Sequence, residues 1–144
     1  MAVEIINRSG IKSPEKELHS LLNFSMKELG LHPECELNLL LVEESEMSEL
    51  HLKWMGEPGP TDVLSFPMDE VTPGWPEEAV LGDIVLCPTI AACQAKSAGH
   101  SATHEMAILS VHGLLHILGY DHATKLEERE MFALQESLVA KWAQ

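Results

Sequence analysis

The stretch from Glu105 to Leu118, EMAILSVHGLLHIL, constrains the fold more than any other part of the chain. It is apolar almost all round, so as a helix it belongs in the middle of a folded domain. Polar side chains on such a helix need partners. Two of them are His112 and His116, four residues apart, so their imidazoles project from one face, one turn apart, near enough to share a metal ion. Three residues further on, Gly119 permits a positive-φ turn that ends the helix and swings His122 back as a third nitrogen donor. Three nitrogens with an open fourth position define a catalytic zinc site. An isolated i, i+4 pair of histidines is commonly a hydrogen-bonded core pair. A pair in a dry helix, followed by Gly and a third His, fits the ligand rules throughout. One zinc ion on His112, His116 and His122 is expected, although Ni²⁺ or Cu²⁺ would also bind such nitrogens.

The spacing HxxxHxxGxxH is that of the metzincin proteases, whose general base is a glutamate directly after the first histidine. Here that place holds Gly113, which moves no proton, and a peptidase of that type is disfavoured. The ion must then act largely alone, or another carboxylate must lie nearby. Glu105 and Asp121 are the candidates. Glu105 is seven residues before His112 and shares its helix face, which suits a partner to a ligand, while Asp121 sits beside the third histidine. Glu105 could equally be a first-turn residue favouring the helix dipole, and Asp121 a turn former.

At 144 residues the chain is near the commonest domain size, and one domain over 1–144 is expected. Four segments read as strands: residues 2–7, 36–44, 62–67 and 81–86. Five read as helices. The first starts at about Pro14, with Ser13 as N-cap, and runs to Gly30; the second is a short helix over 45–54. The third runs from Pro88 to about Ala98, and the fourth is the apolar helix, capped by Ser101 or Thr103. The fifth spans 124–142, opens with a capping box at Thr124, and packs Leu126, Met131, Leu134, Leu138 and Trp142 onto the core. The class is α/β (α+β). The ELNLLLVEE strand reads as buried on both faces, and the Pro/Gly/Glu-rich excursion over 68–78 as a mobile surface loop.

Cys35, Cys87 and Cys93 form no CxxC pair and read as free thiols, in the core or partly buried. The opening MAVEIINRSG lacks a basic stretch followed by an apolar run, and no segment is long enough to cross a bilayer. A cytoplasmic location without membrane association is expected. The net charge of −14 disfavours polyanions as partners unless a local cleft reverses the field.

Three segments, TDVLSFP at 61–67, LGDIVLC at 81–87 and HGLLHILGYDH at 112–122, occur in the order and spacing of the YbeY-type bacterial ribosomal-RNA maturation endoribonucleases, which the chain resembles over nearly its whole length. The resemblance implies a small α/β domain with a mixed sheet flanked by helices, and His112, His116 and His122 as zinc ligands. It implies single-stranded RNA as substrate, with work in small-subunit (16S) rRNA 3′ end maturation and ribosome quality control. Small-subunit ribosomal proteins and an Era-type GTPase are the partners it suggests.

Many members of that family carry, in the loop before TDVLSFP, an arginine that contacts the scissile phosphate. The corresponding place in KWMGEPGPTDV holds Met55, and Lys53 is the only basic residue of that stretch. Phosphate stabilisation would then fall to the metal, backbone amides or Lys96. Thr61, Asp62, Ser65 and Asp83 are further candidates to line the cleft, each with an ordinary turn or strand role as the alternative. His19, His32, His51, His100 and His104 read as surface or capping residues; His104 lies about 80° from His112 around the helix axis. Two functions of different classes follow: a metal-dependent endoribonuclease, and a ribosome-assembly factor with a mainly structural zinc whose acidic surface docks basic proteins. A fourth protein ligand would favour the second, an open position the first.

Overall fold

The computed structural model describes residues 3–143. Among them, four strands and five helices follow in the order β1 (Val3–Asn7), α1 (Glu15–Glu28), β2 (Glu36–Leu41), α2 (Glu44–Met55), β3 (Val63–Pro67), β4 (Val80–Leu86), α3 (Pro88–Ala98), α4 (Ala102–Ile117) and α5 (Lys125–Trp142). Ala2, expected in the first strand, lies outside the described residues.

The sheet is mixed, as the resemblance implied. Its order is β1-β2-β4-β3, with β1, β2 and β4 parallel and β3 antiparallel to β4 at one edge. Parallel neighbours need a crossover, and α1 supplies the one between β1 and β2. β2 shows how the two faces differ. Leu37, Leu39 and Leu41 are fully buried, whereas Asn38 and Leu40 are half-buried. The first set packs into the main core with Leu18, Leu21 and Leu22 of α1 and Val111, Leu114 and Leu115 of α4. On the other side α2 contributes one buried residue, Met47, and the half-buried Leu50 to a smaller cluster with Val42, Leu64, Val85 and Cys87. Burial on both faces is therefore met, but unevenly, because one short acidic helix covers the second face.

Four expectations need correction. Ser13 does not cap α1: the cap position falls to Pro14, and Ser13 Oγ donates to the Ile11 carbonyl. Leu126 is 66% exposed, since it falls in the first turn of α5, before the helix meets the core; Met131 and Leu138 are buried as expected. Cys93 is exposed, while Cys35 and Cys87 are buried. The 68–78 excursion is pinned at several points. Gly74 N–H donates to the Leu29 carbonyl, Asp69 accepts from Val80 N–H, and Val71 is buried in the main core. No helix among the described residues is long and apolar enough to cross a membrane.

A candidate metal centre on the buried helix

α4 starts where Ser101 Oγ accepts from His104 N–H at 3.1 Å, which fills one of the orphan donors of the first turn. It then runs between the sheet and three other helices, touching β3 and β4 on one flank and α1, α3 and α5 elsewhere. At Gly113 it comes very close to the sheet: a Cβ there would lie 2.7 Å from Cγ2 of Ile84 and 3.2 Å from Oγ of Ser65. Ser65 Oγ donates to the Gly113 carbonyl at 2.9 Å and ties the edge strand to the helix. The position that holds the general base in metzincins therefore faces the sheet, and only glycine fits without displacing Ile84.

The helix ends as its sequence requires. Gly119 takes φ 95°, Tyr120 N–H reaches back to the Leu115 carbonyl, and Gly119 N–H bonds the His116 carbonyl. Asp121 Oδ1 then accepts from His122 N–H at 2.7 Å, and Thr124 Oγ1 accepts from Glu127 N–H to start α5. This turn carries His122 back to the helix it has just left. One nitrogen from each of His112, His116 and His122 lies within 4.8 Å of the other two. The ring centroids of His112 and His116 are 4.7 Å apart, and those of His116 and His122 are 5.2 Å apart. No fourth His, Cys, Asp or Glu joins this group among the described residues.

His112 is held from behind. Its Nδ1 lies 2.8 Å from Oε1 of Gln135, a residue 7% exposed on α5. A carbonyl oxygen only accepts, so Nδ1 carries the proton and Nε2 keeps its lone pair for a ligand bond. Burial pushes the His112 imidazole below its ordinary pKa, against an upward pull from the Gln135 bond. Burial does the same to His116, helped by the neighbouring imidazoles of His112 and His122 and opposed by Asp121. Both rings are thus biased toward the neutral form that binds metal. The donor set, the spacing and the oriented tautomer all fit a zinc-like ion.

The cluster lies in an open cleft of about 570 Å³. Of the sequence candidates, Asp62 and Ser65 line it, and so does Met55. Thr61 donates to Asp62, and Asp83 accepts from Asn38 Nδ2, linking β4 to β2 away from the cleft. Glu105 is not brought to the histidines either: its carboxylate pairs with His100 at the start of α4, and the partner of His112 is Gln135 instead. Lys53 is directed at the Trp54 ring, 5.2 Å from its centroid, and Lys96 is exposed on α3. His19 bonds the Val3 carbonyl of β1, His32 and His51 make local bonds with backbone groups, and His100 packs edge-on to His104.

Sequence reasoning missed two residues of the site. Gln135 interrupts the apolar stripe of Met131, Leu134 and Leu138 on α5, and a polar side chain in a buried stripe was the available signal. Phe132, whose ring centroid lies 6.0 Å from that of His112 and 6.4 Å from that of His122, carried no signal. One residue off the buried face of α5, it looked like any exposed aromatic.

The helix-flanked mixed sheet, with three imidazoles converging in an open cleft, defines an α/β protein with a histidine-built candidate metal site. Residues 5–143 match the family described as Endoribonuclease YbeY, and the chain belongs to that family. Relatives of that name are similar along nearly all of it. One from Mycobacterium sp. (strain KMS) is 53% identical over 99% of this chain and 84% of its own. One from Thermobifida fusca (strain YX) is 51% identical over 99% of this chain and 94% of its own. A solution structure of a Thermotoga maritima protein superimposes with a TM-score of 0.67 at 30% identity, covering 96% of this chain and 89% of that one.

Proposed function

We propose that this chain is a metal-dependent endoribonuclease, one cytoplasmic domain that holds a single zinc ion with His112, His116 and His122 and cleaves single-stranded RNA. Its substrate in the cell is the 3′ end of small-subunit (16S) ribosomal RNA. The observation that carries the reading is the convergence of three imidazole nitrogens within 4.8 Å in an open cleft, in a chain of an endoribonuclease family. A divalent ion bound there supplies Lewis-acid polarisation of a phosphoryl oxygen.

The chain's own residues supply placement and proton handling. Gln135 fixes the tautomer and rotation of His112, and Asp121 fixes the turn that presents His122. Asp62 is the carboxylate lining the cleft; its Oδ1 accepts from Val63 N–H, which leaves Oδ2 to take a proton from an attacking hydroxyl or water. Ser65 acts by positioning, since its hydroxyl is given to the Gly113 carbonyl. Glu105 acts at a distance, anchoring the start of α4 through His100.

A second reading draws on the net charge of −14 and on Met55 in the cleft: an assembly factor whose acidic surface docks basic small-subunit proteins or an Era-type GTPase around a structural zinc. A three-histidine cluster that no fourth His, Cys, Asp or Glu joins among the described residues favours the enzyme. The test is cleavage of matched single-stranded and duplex RNA by pure protein, with chelator and then zinc added back. Cleavage of the single strand alone, lost with chelator and restored by zinc, is expected. Chelator-resistant cleavage, or none with zinc present, contradicts the enzyme.

A further inference from the structure

The cleft that holds the histidines is built oddly for a site that meets a polyanion. None of its lining residues among those described is Lys or Arg, and Asp62 adds a negative charge. Its walls are apolar instead. α4 has β3 on one flank and α5 on another, so the cleft lies between two sets of side chains. Met55 and Pro67 stand on the α2–β3 side, and Ile108 and Phe132 on the α4–α5 side. Met55 is 51% exposed and Phe132 39% exposed, although both are large and apolar. Both side chains therefore present apolar surface to whatever enters the cleft.

The Phe132 ring lies within 33° of the plane of His112 and within 25° of that of His122, at centroid distances of 6.0 and 6.4 Å. A half-exposed aromatic ring this close to the histidine cluster offers a base a face to stack on, directly beside the nitrogens. Base-paired strands cannot use that face, because their bases are stacked inside the helix.

We propose that Phe132 and Met55 form a base clamp, in which an unpaired nucleobase of the substrate strand stacks on Phe132 and is closed from the other wall by the Met55 thioether. The inference rests on the endoribonuclease reading and adds how the cleft recognises its strand: by base faces and not by phosphate charge. Flexible, polarisable methionine suits a wall that must accept any of the bases. With no Lys or Arg in the lining, few phosphates are neutralised, so affinity comes chiefly from stacking and depends weakly on salt.

The test compares zinc-loaded protein binding a short fluorescent single-stranded oligoribonucleotide with binding of an abasic strand of the same length and backbone charge. Strand integrity is checked after each measurement. Wild-type protein should prefer the base-bearing strand by about fivefold or more, the low end for one stacked base. Its affinity should fall less than about tenfold between about 50 and 200 mM salt. Phe132→Leu keeps an apolar side chain but should abolish the preference, and Phe132→Trp should keep it, with thermal midpoints matching wild type. Equal binding of both strands by wild-type protein overturns the clamp, as does a preference that survives in Phe132→Leu. Wild-type protein that binds neither strand contradicts the endoribonuclease reading itself, and the clamp falls with it.

Discussion

Oε1 of Gln135 on α5 lies 2.8 Å from Nδ1 of His112 on α4, so the fifth helix orients a candidate metal-binding imidazole on the fourth. The contact is part-buried and joins two elements that otherwise meet through apolar side chains. Gln135→Ala should weaken zinc affinity by about 10- to 100-fold, the usual effect of removing such a partner. Gln135→Glu should restore it, since a carboxylate accepts the same hydrogen bond. Competition with a chromophoric chelator measures both; unchanged affinity in Gln135→Ala would show that the bond does not orient the ligand.

Gly113 is where helix and sheet touch most closely. Alanine there gains up to about 1 kcal/mol of helix propensity but drives a methyl toward Ile84 and Ser65. Overpacking of this kind costs about 1–3 kcal/mol, so Gly113→Ala should be net destabilising in urea unfolding. Gly113→Glu should fold poorly and gain no peptidase activity, because its carboxylate would be aimed at the sheet. A Gly113→Ala chain more stable than wild type would disprove the close approach.

Gly119 sets the path to the third histidine. At φ 95° a side chain is strained, and Gly119→Ala should lose about 1–2 kcal/mol of stability. It should also bind zinc more weakly, because relaxing the turn moves His122. Stability lost with zinc affinity intact would mean that the turn matters to the fold alone.

The pH dependence follows from the two depressed imidazoles. His112 and His116 titrate below the ordinary value of 6.5 when folded, so beneath that value the unfolded chain binds more protons than the folded one. Their contribution to stability is present above about pH 6.5 and is lost as pH falls from there through the lowered folded values. Metal-free protein should therefore unfold more readily in urea at about pH 5.5 than at about pH 7.5, and His116→Gln should show a smaller difference. A metal-free chain that gains stability on acidification across that window would contradict the burial of these rings.

Much of this was legible in the sequence, for reasons that particular residues show. Apolar periodicity and the Gly and Pro stops located all the strands and helices, because local chain physics sets them. The three histidines were legible because helix spacing and one glycine fix their geometry without help from the rest of the fold. Tertiary partners were not. Shared helix phase makes Glu105 a candidate partner for His112 and its position a first-turn acid, and the second holds: His100, just before the helix, takes its carboxylate. Gln135, 23 positions after His112, reaches it only because α5 folds back along α4. Leu126 was counted as core on apolar character alone, although the helix had not yet reached the core at that turn.

The central claim is that His112, His116 and His122 together hold one ion on which RNA cleavage depends. The most direct measurement is metal content per chain alongside ribonuclease activity for wild-type protein and His116→Ala, purified identically and cleared of contaminating nuclease. One zinc per wild-type chain is predicted, with both zinc and cleavage lost in His116→Ala while its helical content is retained. A His116→Ala chain that cleaves single-stranded RNA as fast as wild type would contradict the claim.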